Sequence, residues 1–159
     1  DVQAMGFEAV GDLRLTDELS LFASYSYTDA TYQDDVFNVS GVLLAATAGK
    51  TVVDTPEHLA RGEISYDDGS LFARAAVNYM SERFFTFTND RSVDGRAIVD
   101  ASLGYRLTDG IEVQLNATNL FDEQYVATVG SGGFGNSGDR QTLLVGAPQQ
   151  FFATVRLSY

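Results

Sequence analysis

The sequence predicts an all-β chain, an antiparallel up-and-down transmembrane β-barrel segment of about seven strands. Three observations predict it. Apolar residues recur at every second position through seven runs, the charges inside those runs keep to the other side of the alternation, and short turns alternate with long loops between them. Successive side chains of a strand point to opposite faces, so each run carries one apolar and one polar face.

The first run sets Met5, Phe7, Ala9, Leu13 and Leu15 against Glu8, Asp12 and Arg14. Thr16-Asp17-Glu18 makes a short polar turn, after which Leu19, Leu21, Ala23, Tyr25 and Tyr27 alternate with Ser20, Ser24, Ser26 and Thr28. A long stretch, about 33–57, leads to Ala60, Gly62, Ile64 and Tyr66 alternating with Arg61, Glu63 and Ser65. Asp67-Asp68-Gly69-Ser70 has the chemistry of a tight turn, with side chains that bond their own backbone and a glycine free to take positive φ. Leu71, Ala73, Ala75, Val77 and Tyr79 then face one way, Arg74 and Asn78 the other.

Beyond a loop at about 84–95, Ala97, Val99, Ala101, Leu103, Tyr105 and Leu107 oppose Asp100, Ser102, Gly104 and Arg106. Thr108-Asp109-Gly110 turns the chain into Ile111, Val113, Leu115 and Ala117, set against Glu112, Gln114 and Asn116. A Gly-rich loop at about 126–149 precedes the last run, where Phe151, Ala153, Val155, Leu157 and Tyr159 oppose Phe152, Thr154, Arg156 and Ser158. Outer-membrane barrels have short turns on the periplasmic rim and long loops outside. That rule assigns 16–18, 67–70 and 108–110 to the periplasm.

Composition narrows the function. The chain has 159 residues, 45% of them hydrophobic, and a net charge of −12, with Lys50 its one lysine. A nucleic-acid partner needs a face of clustered Lys and Arg, so none is expected. With no cysteine and one histidine, His58, the sequence offers no metal site, no catalytic residue and no cofactor site, and an enzyme is not expected. Gly130-Ser131-Gly132-Gly133-Phe134-Gly135 has the spacing of a dinucleotide loop but lacks the helix such a loop opens, and reads as loop glycines. Asp29, Asp34 and Asp35 lack the spacing of a calcium loop and read as a solvated acidic loop.

Alternation alone does not choose between lipid and water on the apolar face, and a soluble barrel holding a small ligand would share it. Two features favour lipid. An Arg or Lys facing the bilayer midplane costs roughly 2–4 kcal/mol, and the strand cores carry no charge on the apolar face. Tyrosines also end that face at both heights, with Tyr66, Tyr105 and Tyr159 near the short turns and Tyr25, Tyr27 and Tyr79 near the long loops, as interfacial girdles would.

The run Asn119-Leu120-Phe121-Asp122-Glu123-Gln124-Tyr125 breaks the alternation, and it resembles the NLFD-x-x-Y signature near the end of the barrel in TonB-dependent outer-membrane receptors. Gly6-Phe7-Glu8, Thr55-Pro56-Glu57-His58, Asp100 to Leu107, and Ala147-Pro148-Gln149-Gln150-Phe151 are similar to that family's barrel in the same order. Phe151, Val155, Leu157 and Tyr159 resemble the terminal strand read by the barrel assembly machinery. The resemblance implies that residues 1–159 are the C-terminal portion of a receptor barrel, with the plug domain and the N-terminal strands absent. It further implies residence in the outer membrane of a Gram-negative bacterium, contact with outer-membrane lipid, and energy from the TonB complex acting through that missing plug. The function it implies is transport of a scarce ligand, a ferric siderophore first among them.

For ligand contact the sequence offers the aromatic and charged loop Arg83, Phe84, Phe85, Phe87, Asp90 and Arg91, joined by Phe134 and Arg140 in the Gly-rich loop. Aromatic surface with arginine suits an iron chelate or another anionic, ring-bearing ligand. A second reading is a small self-contained outer-membrane barrel with an adhesin or structural role. It requires an even strand number, and hence a further strand within the apolar stretch 36–53.

Overall fold

The computed structural model describes residues 1–130 and 141–158. In chain order the strands are β1 (Val2–Arg14), β2 (Leu19–Tyr32), β3 (Val36–Phe37), β4 (Leu43–Ala45), β5 (His58–Asp67), β6 (Leu71–Met80), β7 (Arg83–Phe84), β8 (Ser92–Val93), β9 (Arg96–Thr108), β10 (Ile111–Thr118), β11 (Val126–Gly130), β12 (Thr142–Val145) and β13 (Gln150–Leu157). The seven long runs form one antiparallel sheet in the order β1-β2-β5-β6-β9-β10-β13. The three long loops each carry a small hairpin of their own, β3-β4, β7-β8 and β11-β12.

Register confirms the faces, because residues paired across strands share one. Leu21 pairs with Leu13 and Ile64, Ala75 with Ile64 and Ala101, and Leu115 with Leu103 and Ala153, all on the apolar side. On the other side Ser65 pairs with Arg74, and Glu112 with both Arg106 and Arg156. The apolar side is uncovered, with Leu115 63% and Val155 64% exposed. A face this apolar and this bare is the lipid face of a barrel wall.

The short turns are closed locally. Thr16 Oγ1 accepts from the backbone N–H groups of Glu18 and Leu19, and Asp68 Oδ1 accepts from those of Ser70 (2.9 Å) and Leu71 (2.7 Å). Gly69, at φ +90°, takes a conformation a Cβ would strain. At the third turn the register shifts between Ile111 and Glu112, a bulge that sharpens the bend.

The stretch 36–53 supplies no further long strand. Its apolar run is broken at Asn38, whose Oδ1 accepts from the N–H groups of Ser40 and Val42, and at Gly41 with φ +79°. The result is the β3-β4 hairpin. Its base packs into the main buried apolar cluster, where Tyr32, Ala45 and Phe87 meet Val36, Val52 and Val53. The core therefore sits among the long loops rather than under the sheet.

Both tyrosine sets fall on the apolar face at opposite heights. Tyr66 bonds through its hydroxyl to Asp68 in the short turn (3.0 Å), and Tyr25 and Tyr27 flank His58 at the other end. The Tyr25 hydroxyl lies 2.8 Å from His58 Nδ1, so the one histidine is a polar member of the upper girdle. Tyr159 lies outside the described residues.

Candidate functional site: the long-loop rim and the upper polar wall

The motif that breaks alternation is a rivet. Asn119 (φ +49°) and Asp122 (φ +53°) occupy left-handed backbone, which Asn and Asp tolerate better than other side chains with a Cβ. Asn119 is 3% exposed and bonds in every direction open to it. Its Nδ2 donates to the carbonyls of Glu123 (2.9 Å) and Ala147 (3.1 Å), its Oδ1 accepts from Glu123 N–H, and its own N–H donates to Asp100 Oδ1 (3.0 Å). Asp122 Oδ1 accepts from Gln149 N–H, and Gln149 Nε2 donates to the Leu120 carbonyl. One asparagine thus fastens both ends of the third long loop to β9.

A second knot joins all three loops. Arg83, 4% exposed, places its Nε 2.7 Å from Asp54 Oδ1 in the first loop and donates through Nη2 to the Val126 (3.0 Å) and Ala127 (3.2 Å) carbonyls in the third. Its Nη1 meets the Met80 sulfur. The Nε–Asp54 contact is short but not aligned as a hydrogen bond, so it acts as an ion pair alone. Asn89, also at positive φ, exchanges two hydrogen bonds with the backbone of Thr51 (2.6 and 3.0 Å).

These contacts place the residues singled out for ligand contact. Arg83 and Phe87 are buried within the rim, Phe84 and Phe85 are half-buried, and Asp90 and Arg91 are exposed. Phe134 and Arg140 lie outside the described residues. The Asp90 carboxyl is held below its usual pKa by the Thr88 hydroxyl (2.6 Å) and then by Thr86, so it is an anion at neutral pH.

On the polar wall, Glu63 Oε2 receives Arg61 Nη2 and Arg74 Nη2, each at 2.7 Å, while Arg61 Nη1 donates to Asn78 Oδ1. Nearer the short turns Arg106 forks onto both oxygens of Asp67 (2.7 and 2.8 Å) and lies over the Phe72 ring. That ring covers Gly104, where a Cβ would collide with it. The same device recurs at the other end, with Tyr125 covering Gly146 and Arg96 over the Tyr125 ring at 4.4 Å. From the Arg96–Tyr125 end an open trough of about 580 Å³ runs across the strands, lined among others by Glu8, Arg61, Asn78, Arg96 and Tyr125. Sequence reasoning missed Arg96 because nothing local marks it, and only the folded loop brings Tyr125 onto it.

A family model described as TonB dependent receptor-like, beta-barrel, matches residues 1–120. The chain belongs to the TonB-dependent receptor family. Its sheet is therefore part of the wall of an outer-membrane receptor barrel. Among curated relatives, the ferric-pyoverdine M114 receptor PbuA of Pseudomonas sp. (strain M114) is 31% identical over 167 aligned positions, covering 99% of this chain and 18% of that protein. The ferrioxamine B receptor of Salmonella typhimurium is 28% identical, over 82% of this chain and 19% of that protein. Of solved structures, the siderophore receptor PiuA from Acinetobacter baumannii superposes at TM-score 0.79 with 19% identity, over 98% of this chain and 22% of that one. The ferric yersiniabactin uptake receptor FyuA from Yersinia pestis does so at 0.77 with 20% identity, over 99% and 24%. These two likenesses establish the fold, and the chain spans about a fifth of the length of such receptors.

Proposed function

We propose that the receptor to which this wall belongs imports a ferric siderophore across the outer membrane. The observation that carries the reading is the long-loop rim, three loops tied into one body above a polar, arginine-bearing wall, in a chain whose curated relatives are receptors for ferric pyoverdine and ferrioxamine B. In this reading the chain catalyses no reaction and is the C-terminal portion of the barrel. The plug, the TonB complex acting on it and the remaining strands come from elsewhere in the receptor and the envelope. The barrel assembly machinery engages Phe151, Val155, Leu157 and Tyr159.

Within the loop 84–91, Phe84, Phe85, Asp90 and Arg91 are assigned to ligand contact, as are Phe134 and Arg140 in the sequence of the third loop. Arg83 and Phe87 hold that surface in place. The test is uptake of radioactive iron, supplied as pyoverdine-type, hydroxamate and catecholate chelates, by cells with and without the full-length gene. Gene-dependent uptake that stops when the membrane is de-energised is expected for at least one chelate. Identical uptake of all three with and without the gene contradicts the reading.

A further inference from the structure

Register lays out the trough as two parallel rows across β1, β2, β5, β6 and β9. One row runs Glu8, Ser26, Leu59, Met80, Arg96, and the adjacent one contains Arg61 and Asn78. Four strand spacings put Glu8 about 19 Å from Arg96, beyond the roughly 8 Å over which salt lets charges interact. Arg61 is already committed to Glu63. Arg96 differs, because among the described residues it forms no ion pair, and Asp100 on the same strand face is engaged by the Asn119 N–H.

What holds Arg96 is a ring and a carbonyl. It lies over Tyr125, a ring that also packs closely on Gly146, and Nη1 donates to the Val126 carbonyl at 3.2 Å. Arg83 donates to that same carbonyl, so two guanidiniums converge there and only Arg83 has a carboxylate. A guanidinium has five donors in a planar fork. With one donor engaged among the described residues, the fork has donors to offer at the end of an open trough, oriented in advance by the stacked ring.

We propose that Arg96 and Tyr125 form an anion-binding end of the ligand trough, taking a planar anionic group of the iron chelate such as a catecholate or carboxylate. The proposal rests on the iron-chelate reading above and narrows it to anionic chelates. Tyr125 offers a ring beside the charge, and Arg61 and Asn78 lie next along the trough.

The experiment measures binding of two probes, an anionic ferric tris-catecholate and an uncharged ferric tris-hydroxamate, to the full-length receptor and its Arg96→Gln and Arg96→Lys variants, at low and high salt. A lost charge-assisted hydrogen bond corresponds to about 10- to 100-fold in Kd. Arg96→Gln is expected to weaken the catecholate by that factor, to flatten its salt dependence, and to change the hydroxamate less than about threefold, within the scatter of a neutral surface change. Arg96→Lys is expected to keep the salt dependence. Equal loss for both probes would make Arg96 a structural tie to Val126 and overturn the proposal, as would no loss for either. Failure of the unaltered receptor to bind either probe would overturn the proposal, and the iron-chelate reading falls with it if uptake of the pyoverdine-type chelate is also independent of the gene.

Discussion

The two rims of this wall are held together in different ways. At the short-turn rim each turn is closed by bonds that span two to three residues, as from Thr16 Oγ1 to Leu19 N–H and from Asp68 Oδ1 to Leu71 N–H, and the Arg106–Asp67 fork is a tie added across neighbouring strands. At the long-loop rim they span 28 residues from Asn119 to Ala147, 38 from Asn89 to Thr51 and 43 from Arg83 to Val126. Each short turn closes wherever its hairpin forms. The long-loop rim exists only when several distant segments have already arrived, so one side chain there governs three loops.

The contrast can be broken most strongly at the level of the wall itself. Leu115→Arg, placed on the lipid face, should cost about 2–4 kcal/mol, while Gln114→Arg one residue away on the polar face should cost under about 1 kcal/mol. Refolding of the full-length barrel into vesicles, followed by denaturant titration, measures both. Equal costs would mean that the apolar face does not meet lipid.

Arg83→Ala should have the next largest effect, about 2–3 kcal/mol of rim stability, because the half-buried Val126 and Ala127 carbonyls lose a charged donor and Asp54 its partner. Hydrogen exchange should accelerate together in segments around 54, 84 and 126, with the short turns unchanged. Acceleration confined to 81–95 would show that the loops are not one body.

Asn119→Ala removes its side-chain bonds and leaves a strained φ, for about 2 kcal/mol, and should open the 119–149 loop to protease. Asn119→Gly relieves the φ alone and should fall between the two. If glycine equals asparagine, the rivet is conformational rather than hydrogen-bonded.

At the short-turn rim the effects are smallest. Backbone N–H groups of Ser70 and then Leu71 hold the Asp68 carboxyl below its usual pKa. A folded pKa that is depressed contributes stability above the unfolded value, near 4, and loses it as pH falls through the folded one. Exchange protection of the 67–71 turn should therefore be constant at neutral pH and decline only in acid. In Asp68→Asn that decline should be smaller, leaving the part that comes from Asp67, which the Gly69 N–H and Arg106 engage in the same turn.

The same contrast explains what could be read from the chain alone. The seven strands, their faces and the three turns follow from period two and from residues such as Asp68 and Gly69 acting on near neighbours, and the structure reproduces them. The position of Asn119 at the end of β10 was marked by its break in the pattern, though the partners it holds were not. Arg83 and Phe87 carry no local sign of burial, since Asp54, Val126 and Tyr32 are remote in sequence. In the stretch 36–53 Val36, Ala45, Val52 and Val53 pack with Tyr32 and Phe87 while Phe37, Val39, Val42, Leu43 and Leu44 stay exposed, so apolarity there mimicked a strand.

The most direct test of the account is which rim faces the cell exterior. Val39, fully exposed at the tip of the first long loop, and Asp109, in the third short turn, would each be changed to cysteine in a full-length receptor otherwise free of cysteine. Intact cells would then meet a maleimide too large to pass the outer membrane. Labelling of Val39→Cys on intact cells, with Asp109→Cys labelled only after the membrane is opened, is the predicted result. Labelling of Asp109→Cys alone on intact cells would contradict it and put the three-loop body on the wrong side for capturing a ligand.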